Sequence, residues 1–337
     1  MKNWIYRALY RLRPDLTGII LFTLLWLVLI VAYGGKLHLV EGSILLPSYI
    51  AVGFLLIALF YHLKERMFGA KLYPLESLSQ KAKRILRDWV PVVYLVMVYE
   101  TLRDYTGLIR PDYIDTKLYE LDVILFGVEP VIWIQRFVHP ILTDYFTLMY
   151  GLYLVPPMAM VTLLYRARRR EDFEEAVLAT VLCFYIGFFA YITFPAGPPR
   201  FYDGLVFDPP QLEGFFGLYE LMHDQMDRSS YVMHRASFPS LHVAVSALGM
   251  LLAFRFGDVW NRKWLAIIGS WLAVSTWIST VYLRHHWAVD IFAGWIVAVV
   301  AYYAARWVRR IWNGIDAHCE ATSVEEPSKA RMVAGAR

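Results

Sequence analysis

Long apolar runs dominate the chain, and polar residues are gathered into the segments between them. A membrane-spanning helix needs about 20 apolar residues to cross a hydrocarbon core about 30 Å thick. The runs are continuous rather than alternating at period two, which favours helices over a β-barrel. The pattern therefore predicts an all-α, polytopic integral membrane protein with about eight transmembrane helices. The eight runs are 17–34, 44–63, 89–103, 141–165, 173–194, 238–254, 264–283 and 287–308.

Basic residues divide the loops between these runs into two classes. Of the 33 Lys and Arg residues, 24 lie in the N-terminal tail, in residues 64–88, 166–172 and 255–263, and from 306 onwards. Cytoplasmic loops carry the excess of Lys and Arg, so these segments and both termini are predicted to be cytoplasmic. No small-residue cleavage site follows the first run, so that helix is expected to remain uncleaved.

The loops 104–140 and 195–237 then lie on the outer side of the membrane. Within the first of them, the stretch from Leu118 to Val138 is apolar enough to lie along the interface. Short helices broken near Gly127 and Pro130 are expected there.

Composition supports a membrane protein and excludes several other classes. Hydrophobic residues make up 58% of the 337 positions and charged residues 18%, a mixture that a soluble surface does not accommodate. The net charge of +4 gives no support for a nucleic-acid partner. Two cysteines, Cys183 in an apolar run and Cys319 in the polar tail, cannot form a disulfide framework.

A His/Asp pair begins the last run on its outer side, within the cluster from Tyr282 to Asp290. His286 and Asp290 are four residues apart and share one face of a helix. The carboxylate can hold one ring nitrogen protonated and leave the other to attack or to accept a proton. The alternative is a structural pair that closes a helix end.

A second outer cluster, from Ala236 to His242, combines helix-start residues with a histidine. Pro239 suits a first helical turn, and Ser237 or Ser240 can cap that helix or bind a ligand at its start. Open backbone N–H groups and the positive helix end favour a phosphate, and His242 is placed to protonate a departing oxygen. The alternative is an ordinary capped helix with a packed histidine.

Two outer arginines are candidates for binding the phosphate. Arg200 follows Pro198 and Pro199, which stiffen the chain, and Arg284 lies two residues before His286. The forked guanidinium group suits bidentate phosphate binding. The alternative is that either arginine is solvated at the interface.

Taken together, these clusters resemble the phosphatidic acid phosphatase type 2 superfamily. In that superfamily a Pro-Ser-x-His segment precedes an Arg-bearing His-x-x-x-Asp segment, matched here by Pro239–His242 and His286–Asp290. The longer Ser-Phe-Pro-Ser-Leu-His pattern, with an earlier Pro-Pro and a later His-His-Trp-x-x-Asp, is most similar to the inositol phosphorylceramide synthase branch. The resemblance covers roughly residues 90–308.

The chain departs from the superfamily in two of its motifs. Thr280 stands where the third motif usually carries an arginine, so Arg284 or Arg200 would have to replace it. Arg103 and Arg110-Pro111 match the spacing of the first motif, but with arginine in place of lysine.

The resemblance implies a six-helix catalytic core over residues 89–308. Residues 1–88 would add two helices and a basic loop, and residues 309–337 a flexible cytoplasmic tail. His286 would attack phosphorus, Asp290 would orient it, and His242 would act as acid and then base. No metal or cofactor is required. The candidate phosphate-binding residues are Arg103, Arg110, Arg200, Ser240 and Arg284.

The implied activity is a lipid phosphotransferase that moves a head group, such as phosphoinositol, from a phospholipid donor to a lipid alcohol acceptor on the outer side. A lipid phosphate phosphatase is the alternative, in which water resolves the phosphohistidine. A third hypothesis is a transporter or metal-binding membrane protein with histidine ligands. Its candidate ligands are His234, His242, His285 and His286.

Overall fold

The structure is a computed structural model that describes residues 14–32, 85, 88–92, 95, 112–228 and 236–334. Within these residues the chain is helical, and the β pairing is confined to one parallel bridge between Ala196 and Ala236. The prediction of an all-α fold is confirmed. The helices are α1 (Pro14–Ala32), α2 (Asp115–Phe126), α3 (Pro130–Ile134), α4 (Pro140–Gly151), α5 (Val155–Arg166), α6 (Arg170–Thr193), α7 (Leu218–Arg228), α8 (Leu241–Phe256), α9 (Arg262–Tyr282) and α10 (Ala288–Ala334).

Four helical stretches in the described residues are long and apolar enough to cross a membrane: Arg170–Thr193, Leu241–Val259, Arg262–Tyr282 and Ala288–Gly314. The run 141–165, predicted as one helix, is instead the pair α4 and α5, bent by 43°, which forms a fifth span if the two are counted together. The bend follows from Pro156 and Pro157 at the start of α5, because proline cannot donate the backbone hydrogen bond that would continue α4.

Other predicted segments have different outcomes. Helix α1 covers most of the first run, whereas the run 44–63 and most of 89–103 lie outside the described residues. The number of eight spans therefore stays a prediction. The segment expected to be a flexible tail continues α10 to Ala334, because most residues after the span are compatible with a helix. Its flexibility and the three-part domain division stay predictions.

Short helices form where the sequence predicts them between the first described runs. Helix α2 ends at Gly127, whose φ of 73° is a left-handed conformation that glycine adopts without strain. Helix α3 begins at Pro130, and the Glu129 side chain accepts a hydrogen bond from Val131 N at 3.2 Å. The predicted breaks at Gly127 and Pro130 are confirmed, and the interfacial position of these helices stays a prediction.

Helix α8 is the centre of the bundle, packed against α5, α6, α9 and α10. Two glycines allow the close approaches. A Cβ at Gly249 would meet the side chains of Pro156 and Pro157, and one at Gly294 would lie 2.8 Å from Ser240 O. Gly294 therefore lets α10 approach the first residues of α8, where the polar clusters lie.

Large apolar side chains cover the outward faces of α9 and α10. Trp271 is 51% exposed, Ile296 is 64% exposed and Trp307 is 64% exposed. Such a continuous apolar surface is unusual for a soluble protein and is expected for helices that face lipid. The protein is an integral membrane protein.

Candidate active site

Backbone hydrogen bonds join the three polar clusters that the sequence places at outer helix ends. Ser237 N donates to Ala196 O at 2.9 Å, beside the parallel bridge between Ala196 and Ala236. Arg200 N donates to Arg284 O at 3.3 Å. These hydrogen bonds hold segments that are about 40 to 90 residues apart in the sequence within one small region.

His286 and Asp290 are in contact as predicted, but only Asp290 belongs to α10, because His286 lies in the turn just before the helix begins at Ala288. His286 Nδ1 lies 3.1 Å from Asp290 Oδ2, and both side chains are buried. Ser237 Oγ lies 3.0 Å from the same carboxylate oxygen and 3.2 Å from His286 Nδ1. With Nδ1 held by the carboxylate, Nε2 is the ring nitrogen left for chemistry.

A neighbouring residue also holds the carboxylate of Asp290 in place. Trp287 N donates to Asp290 Oδ2 at 3.1 Å, and Trp287 Nε1 donates to Gly197 O at 3.1 Å. The buried Trp287 therefore ties the His/Asp pair to the loop that follows α6. A carboxylate held by several donors is a rigid support for the imidazole beside it.

His242 lies across from His286, on the first turn of α8. The two ring centroids are 5.7 Å apart. Tyr150 stacks on the His242 ring at 3.9 Å, and the Tyr153 ring lies 4.2 Å from it. Both tyrosines belong to the bent region between α4 and α5, so the bend supplies the aromatic wall beside His242.

A cavity of about 270 Å³ opens between these groups. Its polar lining comes from the two histidines of the motifs, a third histidine, one arginine and one serine, and the rest is mostly aromatic or apolar. Because Leu241 and His242 belong to the lining, the positive N-terminal end of α8 faces the cavity. The lining residues are Tyr150, Gly151, Tyr153, Phe184, Tyr191, Pro198, Arg200, Met222, Ala236, Ser237, Leu241, His242, His285 and His286.

The two candidate arginines occupy different places. Arg200 lines the cavity. Arg284 is buried, and its guanidinium donates to Pro209 O at 2.8 Å and Pro210 O at 2.9 Å and lies over the Phe207 ring at 4.2 Å. These donors hold the loop that contains Pro209 and Pro210, and Arg284 is outside the cavity lining, so its role as a phosphate ligand stays a prediction.

Ser240 serves as the helix cap. Its Oγ accepts a hydrogen bond from Val243 N at 3.3 Å, and the side chain is fully buried outside the cavity lining. Ser237, the other serine of the cluster, lies in the lining beside His286. Arg103 and Arg110 lie outside the described residues.

The sequence of the chain matches a known family over most of this region. The model of the family described as "PAP2 superfamily" matches residues 117–304, which is more than half of the chain. The chain belongs to the PAP2 superfamily. It is also 26% identical over 193 residues to a "Phosphoinositol dihydroceramide synthase" of Bacteroides thetaiotaomicron, a match that covers 52% of this chain and 62% of that relative. No solved structure matches the chain.

The PAP2 superfamily is the phosphatidic acid phosphatase type 2 superfamily that the motifs resemble, so that prediction is confirmed. Membership of this superfamily supports an enzyme that acts on lipids, as a phosphatase or a phosphotransferase, and the chain spans less than two thirds of the length of the curated relative that it matches. Within the described residues, no group of three or more His, Cys, Asp and Glu side chains is arranged to hold a metal ion.

Several residues of this PAP2 site were not singled out from the sequence. Tyr150 and Tyr153 give no local signal, because their contact with His242 spans about 90 residues. The sequence indicates His285 only as a candidate metal ligand. Asp122 accepts hydrogen bonds from Ala288 N at 2.8 Å and Val289 N at 2.7 Å, so it caps α10 from a distant helix.

Three acids near the cavity end of the PAP2 core have raised pKa values. Burial raises the pKa of Asp115 to about 6 and that of Asp122 to about 6. Burial, together with the charge of Asp122, raises the pKa of Glu129 to about 7. Asp115 also accepts a hydrogen bond from Gly197 N at 2.7 Å, so it fixes the loop that leads to Arg200.

Proposed function

We propose that this PAP2 superfamily enzyme is a lipid phosphotransferase that works through a phosphohistidine on His286. The observation that carries the proposal is the imidazole of His286, oriented by Asp290 and facing His242 across one cavity. A nucleophile, its orienting carboxylate and a second proton-transfer group are the minimum set for covalent phosphoryl chemistry.

In the first step, Nε2 of His286 attacks the phosphorus of a phospholipid donor. The bond between phosphorus and the diacylglycerol oxygen breaks, and His242 gives that oxygen a proton. Diacylglycerol leaves, and the phosphorylated head group stays on His286. Asp290 stabilises the positive charge that develops on the imidazole, since its carboxylate contacts Nδ1.

In the second step, the hydroxyl of a lipid alcohol attacks the same phosphorus. His242 takes the hydroxyl proton, the bond between phosphorus and nitrogen breaks, and His286 is regenerated. The proton that left His242 in the first step is thereby returned, so the enzyme is unchanged after one cycle.

Charge on the phosphoryl oxygens would be met by Arg200 and by the N-terminal end of α8. Both face the cavity. Fixed positive groups in a site shielded from water are the main source of barrier lowering in phosphoryl transfer. The scheme gives Ser237 the role of holding the His/Asp pair and Ser240 the role of capping α8. It requires no metal.

Two observations support transfer to a lipid alcohol over release to water. The cavity is lined mainly by aromatic and apolar groups, including Phe184, Tyr191 and Leu241, and His286 is 3% exposed. The relative in Bacteroides thetaiotaomicron is named a phosphoinositol dihydroceramide synthase. By that likeness we assign a phosphoinositol lipid as donor and a dihydroceramide-type alcohol as acceptor.

The test is a product analysis with purified protein. Labelled phosphatidylinositol is incubated with and without dihydroceramide, and phosphatidic acid is used in a parallel reaction. A new inositol phosphosphingolipid that depends on dihydroceramide is the expected product. Inorganic phosphate from phosphatidic acid, with no transfer product, would establish the lipid phosphate phosphatase instead.

We also propose that the cavity opens on the outer side and that both termini are cytoplasmic. The basic loops 166–172 and 255–263 at the opposite end of the bundle support this orientation. In a Cys319→Ser background, Val206→Cys should react with a membrane-impermeant reagent in intact cells and Arg166→Cys should not. The reverse labelling would overturn the orientation.

A further inference from the structure

One buried histidine of the cavity has no task in the reaction scheme. His285 precedes the nucleophile in the chain, is 3% exposed and lines the cavity. Its ring lies 4.7 Å from the Tyr150 ring, which also stacks on His242. Tyr150 thus positions His285 as well as the proposed acid.

The Nε2 atom of His285 is buried and has no hydrogen-bond partner among the residues that the structure describes. Leaving a buried polar atom unpaired destabilises the folded protein, because the atom loses its hydrogen bond to water and gains none in return. A side chain that carries this cost inside a substrate cavity points to a hydrogen bond that a bound molecule completes.

The charge state of His285 indicates which part of a substrate it suits. Burial, followed by the positive charge of Arg200, holds the pKa of His285 well below its ordinary value of 6.5, so the ring is neutral near pH 7. A neutral imidazole offers a hydrogen bond to an uncharged hydroxyl but adds no charge to hold a phosphoryl group. The positive charge that a phosphoryl group needs is already supplied by Arg200 in the lining of the same cavity.

Three other polar side chains of the lining have assigned partners or roles. Ser237 contacts Asp290, His286 is the nucleophile, and His242 transfers the proton. We infer that His285 is a specificity-determining residue whose Nε2 hydrogen-bonds a hydroxyl of a polyol head group on the donor. The inference rests on the proposed function and extends it, because it assigns recognition of the head group to one side chain.

The test measures diacylglycerol release from phosphatidylinositol and from phosphatidic acid, two donors that differ in the polyol. The His285→Phe variant keeps a ring but loses the nitrogen, and it should lower kcat/KM about tenfold more for phosphatidylinositol than for phosphatidic acid. The His285→Gln variant keeps a donor and an acceptor at similar reach, and its selectivity should stay within about threefold of the wild type.

Two further variants keep the test decisive. His285→Asn is small enough to fold but too short to reach the hydroxyl, so it should resemble His285→Phe. His223→Phe, at an outer histidine outside the cavity lining, should keep the wild-type selectivity. Thermal melting of each purified variant shows that it is folded.

The outcomes separate this inference from the proposed transfer. An equal loss with both donors in His285→Phe and His285→Asn, or no loss with either donor, would overturn the role of His285. So would a wild-type enzyme that cleaves phosphatidic acid but not phosphatidylinositol. Cleavage of phosphatidylinositol with the predicted selectivity change, but without any dihydroceramide product, would support His285 and overturn the transfer step alone.

Discussion

Arginines at the two ends of the helix bundle are used in opposite ways. At the end away from the cavity, each member of an arginine cluster meets a carboxylate: Arg169 with Asp172 and Asp258, Arg170 with Asp88 and Glu174, Arg255 with Glu175, and Arg309 with Glu174. At the cavity end, Arg200 belongs to a lining that contains no carboxylate among the described residues. Arginines thus form ion pairs at one end of the bundle, whereas Arg200 lines the cavity at the other end.

The charges at the two ends therefore have different roles, structural in the arginine cluster and functional at the cavity. The arginine cluster neutralises itself, so removing one member affects mainly the packing and the charge balance of helix ends. The cavity concentrates the guanidinium of Arg200 and a helix N-terminus, and the carboxylate of Asp290 is buried behind His286. Such an arrangement favours an anionic group, which the phosphate of a lipid supplies.

The largest effect is expected from His286→Ala. Without the nucleophile no phosphohistidine forms, so donor cleavage and transfer should both fall roughly 10⁴-fold or more. The measurements are diacylglycerol release and labelled phosphate trapped on the protein. His223→Ala is the matched control, and full activity in His286→Ala would remove the nucleophile from the scheme.

His242→Ala should cost less and depend on the leaving group. Loss of proton transfer should lower cleavage of a natural donor about 10² to 10³-fold. A donor with a nitrophenyl leaving group needs no protonation, so it should recover most of that loss. If both donors lose the same factor, His242 is not the acid that protonates the leaving oxygen.

Paired substitutions at the two ends test the comparison directly. Arg200→Gln should lower kcat/KM about 10²-fold with little change in melting temperature, because it removes charge at the phosphoryl group. Arg255→Gln breaks its contact with Glu175 and should lower the melting temperature while kcat/KM stays within about threefold. Similar activity losses in both variants would show that the two ends are not functionally distinct.

Arg284→Gln should have an intermediate effect, about tenfold on kcat/KM, because Arg284 positions a loop. Its guanidinium bonds to Pro209 and Pro210, and its carbonyl accepts from Arg200 N. Hydrogen exchange of residues 199–210 should rise in this variant and not in Arg200→Gln. Unchanged exchange with a loss as large as that of Arg200→Gln would return Arg284 to the role of phosphate ligand.

The contrast between Arg200 and Arg284 shows which parts of the site can be predicted from the sequence. His286 lies two residues before α10 begins, so its contact with Asp290 comes from the turn that leads into the helix, although the four-residue spacing predicts the pair. Arg284 is closer to His286 in sequence than Asp290 is, but its φ of 62° turns the chain sharply before the helix begins. Nearness in sequence therefore does not place its side chain in the cavity.

Long-range packing accounts for the features that the sequence did not reveal. The contact of Tyr150 with His242 depends on how α4, α5 and α8 pack, and no motif encodes it. Asp122 appears in the sequence as one more outer acid, but the fold places it under the first turn of α10. The spans of α6, α8, α9 and α10, by contrast, could be predicted because each is a continuous apolar run of nearly the expected length.

The smallest effect is expected at Asp122, the acid that caps α10, as a change in how the stability of the protein depends on pH. The pKa of Asp122 is raised from its ordinary value of 3.8 to about 6, and that of Glu129 from 4.5 to about 7. The folded protein therefore binds these protons more tightly than the unfolded chain, and their contribution to stability is lost as pH rises from about 4 to about 7.

Asp122→Asn removes one titrating group and the charge that helps to raise the pKa of Glu129. The fall in melting temperature between pH 5 and pH 8 should become smaller by a few °C. Asp203→Asn, at an exposed carboxylate, is the control, and equal pH slopes in both variants would show that burial of Asp122 does not set the stability of the cavity end.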